Sequence, residues 1–220
     1  MMERAKDRIV KIIKTLEKKY PTRRTSLAFE SPLQILIATI LAAQCTDARV
    51  NQLTPGLFKK YPTAEAFAGA DRAELEMEIR PTGFFRNKAK SIIGAAQKIM
   101  TDFGGRVPDT MADLITLPGV ARKTANIVLS SGYGIAEGIA VDTHVRRISG
   151  RLGLSKQMDP EKIEQDLLAI VPKKHWLDFN YMLVNYGRDI CQARKPKCPE
   201  CLIKHLCPSV KQFYPDLKIK

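Results

Sequence analysis

The strongest constraint on the fold comes from residues 117–143, a segment rich in glycine and proline turns. Pro118-Gly119 marks a tight turn, where glycine can adopt a positive φ without steric cost. A helix that starts after this turn presents backbone N–H groups that can bind phosphate. Lys123 falls in the first turn of that helix, and Asp142 follows nineteen residues later, just before another helical run. An amine and a carboxylate near a phosphate-binding turn predict covalent chemistry on a nucleic acid.

The composition also indicates a polyanionic partner. The 220-residue chain has 36 Lys and Arg residues against 23 Asp and Glu residues, which gives a net charge of +13 at pH 7. Such a charge favours nucleic acid, although a solvated basic face has the same composition. No run reaches the ~18 apolar residues of a membrane span, and the N-terminal segment lacks the apolar stretch of a signal peptide. We therefore expect a soluble, cytoplasmic protein with no membrane partner, associated with the nucleoid if the source is prokaryotic.

Four of the five cysteines fall within 17 residues near the C-terminus, with the spacing Cys-x6-Cys-x2-Cys-x5-Cys. They are Cys191, Cys198, Cys201 and Cys207. Clustered cysteines in an intracellular protein indicate a metal centre rather than disulfides. Zinc sites usually contain two Cys-x2-Cys pairs, whereas this segment has one pair between wider spacings. The spacing favours an iron–sulfur cluster, and zinc is the alternative.

Helical patterns and start signals recur along the whole chain. Ser31-Pro32, Thr46 or Asp47, and Asp71 are typical residues at helix N-termini. About ten helices are predicted, joined by short turns, and no pair of strands is evident. These features predict an all-α protein.

Four segments, taken in order, resemble the endonuclease III family, the iron–sulfur type of the helix-hairpin-helix DNA glycosylase superfamily. The segments are Leu41-Ala42-Ala43-Gln44-Cys45-Thr46-Asp47, Leu117-Pro118-Gly119-Val120-Ala121-Arg122-Lys123-Thr124-Ala125, Val141-Asp142-Thr143-His144, and the cysteine cluster. The resemblance covers roughly residues 30–208, most of the chain. It implies a specific fold and a specific reaction.

The implied fold has two helical lobes. A central lobe, residues 25–135, would hold the helix-hairpin-helix motif. The second lobe would combine residues 1–24 with residues 136–220 and carry a [4Fe–4S] cluster in the loop 191–207. Double-stranded DNA would bind in a cleft between the lobes, with one nucleotide flipped out of the helix.

The implied activity is that of a base-excision-repair DNA glycosylase with an associated AP lyase (β-elimination) activity, which removes oxidised pyrimidines. Its partner would be double-stranded DNA with damaged bases or abasic sites, and we expect a monomer. Lys123 would attack the sugar and form a Schiff base, while Asp142 would stabilise positive charge on the sugar. The residues alone leave two plainer alternatives, a phosphate contact for Lys123 and a helix N-cap for Asp142.

The resemblance also assigns DNA contacts in the loops. Gln44 would fill the gap left by the flipped nucleotide, and Phe84 would be the wedge between base steps. The alternatives are a surface helix end for Gln44 and a core position for Phe84, because Phe85 is adjacent and one ring should point inward. The family pattern has an aliphatic residue where this chain has Phe84.

Further contacts are expected at the hairpin and in the cysteine loop. Gly119 and Ala121 would offer backbone N–H groups to phosphate. Ala121 stands where the family has a second glycine, so we expect a helical φ or slight strain there. His144 would contact phosphate or the flipped nucleotide, with a structural role at the helix start as the alternative. Three cations between the first two cysteines would contact phosphate, namely Arg194, Lys195 and Lys197.

Two other functions remain open from the sequence. One is a mismatch-specific monofunctional DNA glycosylase, whose relatives lack a lysine at position 123. The other is a non-catalytic iron–sulfur DNA-binding protein, which would not depend on Lys123 or Asp142. The lysine present here favours the bifunctional enzyme.

Overall fold

The computed structural model describes residues 4–21 and 25–218. Within these ranges the chain forms α-helices, short 3-10 turns and one π-helical turn, with no β-strand. The predicted all-α fold is confirmed. The helices are α1 (Ala5–Lys19), α2 (Pro32–Leu41), α3 (Asp47–Lys60), α4 (Ala64–Ala68), α5 (Arg72–Ile79), α6 (Phe85–Phe103), α7 (Met111–Leu114), α8 (Arg122–Val128), α9 (Thr143–Arg151), α10 (Pro160–Leu168), α11 (Trp176–Asp189) and α12 (Val210–Phe213).

The chain divides into two compact units. The middle unit comprises residues 25–137, and the terminal unit combines residues 1–24 with residues 138–220. The boundary after residue 137 lies two residues beyond the position expected from the sequence. None of the described helices combines the length and the apolar character needed to cross a bilayer.

Polar side chains cap the helices at the predicted start signals. The Ser31 hydroxyl accepts a hydrogen bond from the Gln34 N–H, with proline as the first helical residue. Thr46, rather than Asp47, caps α3, and Asp71 caps α5 by accepting from the Glu74 N–H at 2.8 Å. Each such cap stabilises its helix by about 1 kcal/mol relative to alanine.

The middle unit is organised around α2, which is buried on nearly every side. This helix packs against α3, α6 and α8. The π-helical turn Leu129–Tyr133 also packs closely against α2. A Cβ added to Gly132 would lie only 3.2 Å from Ile35 Cγ2. Helix α8, which follows the hairpin, is therefore packed against the most buried element of this unit, while Gly119 of the hairpin itself lies against Ser91 of α6.

The terminal unit has a separate core. Four residues on one face of α1 are fully buried there, as their periodicity predicts: Ile9, Ile12, Ile13 and Leu16. Complete burial of each such side chain contributes about 1.5–3 kcal/mol. The buried Arg8 donates hydrogen bonds to the carbonyls of Leu152 at 2.8 Å and Leu206 at 2.6 Å. It thus joins α1 to the end of α9 and to the cysteine segment.

Candidate active site and nucleic-acid interface

The hairpin before α8 depends on one glycine. Gly119 has φ +78°, and a Cβ there would lie 2.6 Å from Ser91 Cβ. Backbone conformation and close packing both exclude a larger residue. The Val120 N–H donates to the Leu117 carbonyl at 3.1 Å, and both side chains are buried. Leu117 and Val120 therefore anchor the turn in the core, while Pro118 and Gly119 between them are exposed.

Ala121 is the N-cap residue of α8, with φ −92° and ψ 169°. This extended conformation suits any L-residue, so the expected helical φ or strain at Ala121 is wrong. No side chain caps α8. The outward start of this helix is thus available for an acceptor from another molecule, such as phosphate.

Lys123 is the second residue of α8, and its side chain is exposed. It belongs to the middle unit, whereas Asp142 belongs to the terminal unit. An amine on the first turn of a helix that follows a glycine turn can reach a ligand held by that turn. Lys123 thus lies in the first turn of the helix after the hairpin, as the sequence predicts.

Asp142 is the N-cap of α9 and is 17% exposed at its side chain. Its Oδ1 accepts hydrogen bonds from the N–H groups of His144 and Val145, both at 2.8 Å. Oδ2 lies 3.4 Å from His144 Nδ1. The capping role raised as an alternative is real, and it uses one oxygen while the second faces the histidine.

The segment before Asp142 is held by two buried polar residues that sequence reasoning missed. Asn180 Nδ2 donates to the Ala140 carbonyl at 2.8 Å, and Glu164 Oε1 accepts from the Ile139 N–H at 3.2 Å. The signal in the sequence is a polar residue on the apolar face of α10 and of α11. These contacts fix the approach of the chain to Asp142.

His144 packs against α11. A Cβ on Gly187 would lie 2.8 Å from His144 Cδ2, so a larger residue there would displace the histidine ring. The side chain is 25% exposed, and its Nδ1 faces Asp142. The structural role raised as the alternative is present, and a contact with DNA stays a prediction.

Gln44 and Phe84 share an uncommon backbone conformation. They have φ 54° and φ 47°, and they are the non-glycine residues with positive φ in the described chain. Phe84 is 62% exposed, whereas Phe85 packs against the core of the middle unit. The core alternative for Phe84 is therefore wrong, because Phe85 occupies that position. Gln44 is also exposed.

The four clustered cysteines border one cavity of the terminal unit. The Tyr186 hydroxyl lies 3.0 Å from Cys201 Sγ, and Arg151 Nη1 donates to Cys191 Sγ at 3.3 Å. Burial raises the pKa of the Cys198 and Cys201 thiols, and that of Cys207 to about 11. Among residues 4–21 and 25–218, no three His, Cys, Asp or Glu side chains are placed to hold a single metal ion. The four cysteines therefore share the border of one cavity without forming a site for a single ion.

Arg151 also fixes the basic loop between the first two cysteines. Its guanidinium donates to the carbonyls of Gln192 at 2.7 Å and Ala193 at 2.6 Å. Arg194 and Lys195 are exposed just beyond, and Lys197 is half-buried. Sequence analysis missed Arg151, which gives no local signal because its partners lie about forty residues away. By holding the backbone at Gln192 and Ala193, Arg151 fixes the loop that carries these cations.

The structure thus combines an all-α fold, an exposed hairpin, an exposed lysine at the start of the following helix and a cavity bordered by four cysteines. Residues 37–173 match the model of the HhH-GPD superfamily base excision DNA repair proteins, and the chain belongs to this superfamily. The resemblance noted from the four motifs is confirmed.

Individual proteins agree with this assignment. The chain is 53% identical to endonuclease III of Synechocystis sp. over 208 residues, which cover 94% of this chain and 95% of the relative. It is 41% identical to endonuclease III of Bacillus subtilis over 86% of each chain. It also matches the structure of a trapped covalent intermediate between endonuclease III and DNA, with a TM-score of 0.89 and 39% identity. This match covers 96% of this chain and 99% of that one.

Proposed function

We propose that this chain is a bifunctional DNA glycosylase and AP lyase that removes oxidised pyrimidines from duplex DNA through a Schiff base at Lys123. One observation carries the proposal. A lysine lies exposed in the first turn after the hairpin, in a chain similar over almost its full length to an endonuclease III that was trapped covalently on DNA. We further propose that the chain acts as a monomer on genomic DNA inside the cell.

The proposed reaction begins at C1′ of the damaged nucleotide. The unprotonated Lys123 amine forms an N–C1′ bond, and the base leaves with the electrons of the glycosidic bond and takes up a proton. The sugar ring then opens to give the iminium. Loss of a proton from C2′ expels the 3′ phosphate and cuts the strand, and water releases the lysine. The proton that the lysine nitrogen loses after its attack neutralises the departing base, the O4′ oxygen released by ring opening takes a proton from water, and water accepts the C2′ proton.

Asp142 is proposed to stabilise the positive charge that develops on the sugar. One carboxylate oxygen stays bound to two N–H groups of α9, which fixes the orientation of the side chain. A charge that is oriented before the reaction costs no reorganisation during it. The cap and the electrostatic role are thus two uses of one carboxylate.

Access to C1′ requires that the nucleotide leave the base stack. In the proposed complex the exposed Phe84 enters between base steps and Gln44 occupies the vacated space. The N–H groups near Gly119 and Ala121, together with Arg194, Lys195 and Lys197, hold phosphates. Such backbone contacts position the duplex without reading its sequence.

The four cysteines are proposed to hold a [4Fe–4S] cluster. Four thiols border one space, which fits a cluster with one cysteine for each iron. The cluster would cross-link the segment 191–207 and thereby hold the basic loop rigid. In this proposal the cluster has a structural role, and protein side chains carry out the reaction on DNA.

Purified protein should be brown and contain four irons per chain. Cys198→Ser should lower the iron content and weaken DNA binding more than it slows cleavage by the Lys123 amine at saturating enzyme. The matched control is Cys45→Ser, because Cys45 lies in the middle unit and should leave the iron content unchanged. Iron analysis and a binding isotherm measure both effects, and stoichiometric zinc in place of iron would contradict the proposal.

DNA binding should depend strongly on salt. With about six phosphates neutralised, log K should fall with log salt with a slope of about −5. Lys195→Ala should make the slope shallower by about one, since one phosphate contact is lost. The control Lys14→Ala removes the same charge from an exposed position on α1 and should leave the slope unchanged. A slope near zero for the wild type would exclude binding through phosphates.

A panel of duplexes with single lesions, each incubated with and without borohydride, tests the proposed function as a whole. Oxidised pyrimidines should be excised, the strand should be cut on the 3′ side, and borohydride should trap a covalent complex. Excision without trapping would identify a monofunctional glycosylase. Binding with neither activity would identify a non-catalytic DNA-binding protein.

A further inference from the structure

Lys88 is a charged side chain buried in the middle unit, with only 5% of its surface exposed. Its Nζ donates hydrogen bonds to the Leu41 carbonyl at 2.7 Å and to the Thr82 carbonyl at 2.8 Å. Burial lowers the pKa of the Lys88 amine, because an ammonium loses its hydration there. Taking a lysine charge out of water is costly, so its position between two carbonyls calls for an explanation.

The two carbonyls belong to the bases of two different loops. Leu41 is the last residue of α2, three residues before Gln44. Thr82 ends the 3-10 turn Arg80–Thr82, two residues before Phe84. The Lys88 N–H also donates to the Phe84 carbonyl at 3.1 Å. One residue therefore contacts the supports of both loops.

The loop residues themselves need such support. Left-handed backbone at a residue other than glycine costs roughly 1–3 kcal/mol and persists only where the surroundings determine it. In the described chain this conformation occurs at Gln44 and Phe84, and Lys88 contacts the segments that lead into both. The buried Lys88 is therefore linked, through its hydrogen bonds, to the segments that carry Gln44 and Phe84, the two residues expected to enter DNA.

We propose that Lys88 is a positioning residue for the opening of the duplex, which holds the Gln44 and Phe84 loops at a fixed separation so that both enter the base stack together. The inference rests on the proposed function, because it concerns residues assigned to that DNA-opening step. Lys88 itself contacts neither DNA nor the reacting atoms.

A purely structural role makes a different prediction. The Leu41 carbonyl lies at a helix C-terminus, where a cation is favourable, so Lys88 could serve only to cap α2. Its loss would then destabilise the fold, since two buried carbonyls lose their donor. The remaining folded enzyme would act equally well on every substrate. Positioning, by contrast, matters only where a stacked nucleotide has to be displaced.

The test compares two substrates for the iron-loaded full chain. Lys88→Met keeps a long, unbranched side chain, one atom shorter than that of lysine, and removes the ammonium. Excision of an oxidised pyrimidine from intact duplex should slow by roughly 10- to 100-fold, because small displacements of positioning groups have effects of this size. Cleavage at an abasic site in a single strand should proceed at the wild-type rate, because no stack must be opened.

Lys90→Met is the matched control. Lys90 is an exposed lysine on the same helix, so its substitution removes the same charge without touching either loop. It should behave as the wild type on both substrates. Thermal unfolding of both variants verifies that the compared proteins are folded, and Lys88→Gln, which keeps an N–H donor, replaces Lys88→Met if the latter fails to fold.

Coupling to the two loops provides a second readout. In a chain that already carries Gln44→Ala and Phe84→Ala, Lys88→Met should cause no further loss on duplex DNA, because residues that act through one another are not additive. Full additivity would overturn the proposal, as would an equal rate loss on both substrates or no loss at all. A wild-type chain that neither excises nor traps would instead overturn the proposed function, and this inference with it.

Discussion

Lys123→Gln should abolish strand cleavage and borohydride trapping, while binding to lesion DNA persists. Glutamine has no amine that can attack C1′, so the covalent path is lost completely. The hairpin N–H groups belong to the backbone and are unaffected by the substitution. Gel assays for cleavage and trapping, and a binding isotherm on the same duplex, measure the three quantities.

Lys123→Arg is the matched control for charge. Arginine keeps a cation in the first turn of α8 but stays protonated and cannot act as the nucleophile. It should bind lesion DNA as the wild type does and should also fail to trap. A variant without Lys123 that still forms a covalent complex would assign the nucleophile to another amine.

Asp142→Asn should slow base excision by roughly 10²–10³-fold without unfolding the chain. Asparagine caps helices about as well as aspartate. The N–H groups of His144 and Val145, which donate to Asp142 Oδ1, should therefore keep an oxygen acceptor at this position. The substitution removes the negative charge that we propose stabilises the positive charge developing on the sugar, and such a loss typically costs ~10²–10³ in rate. Lesion binding should be at least as tight, since one repulsion with phosphate is gone. Single-turnover excision kinetics measure the effect.

Asp159→Asn provides the control for capping. Asp159 caps α10 by accepting from the Glu161 and Lys162 N–H groups, each at 3.1 Å, and it is assigned no part in the reaction. The same substitution there should leave excision at the wild-type rate. If Asp142→Asn also excises at that rate, Asp142 serves only as a cap.

Local chemistry explains what could be predicted from the sequence. Ser31, Thr46 and Asp71 cap the helices they precede, because a cap is made with a residue two or three positions away. Gly119 has the positive φ expected of its turn. The prediction of helical φ or strain at Ala121 is wrong, since this N-cap residue has extended backbone, which needs no glycine.

Contacts between distant segments could not be predicted in this way. Lys88 and Leu41 are 47 residues apart, and Arg8 and Leu206 are 198 apart. Each pairs a long cation with a backbone carbonyl, a group that every residue has, so the partner leaves no mark in the sequence. The choice between Phe84 and Phe85 was open for a related reason. Phe84 and Phe85 are adjacent and of the same type, so only the backbone conformation decides which side chain points into the core.

The central claim is that Lys123 is the amine that forms the Schiff base, and mapping of the trapped adduct tests it most directly. Wild-type protein is reduced with borohydride on lesion-containing duplex, digested with nuclease and trypsin, and analysed by mass spectrometry. The sugar remnant should lie on Lys123, in a peptide that starts at this residue because trypsin cleaves after Arg122 and no longer after the modified lysine. A remnant on any other amine, or no adduct on a substrate that is cut, would contradict the account.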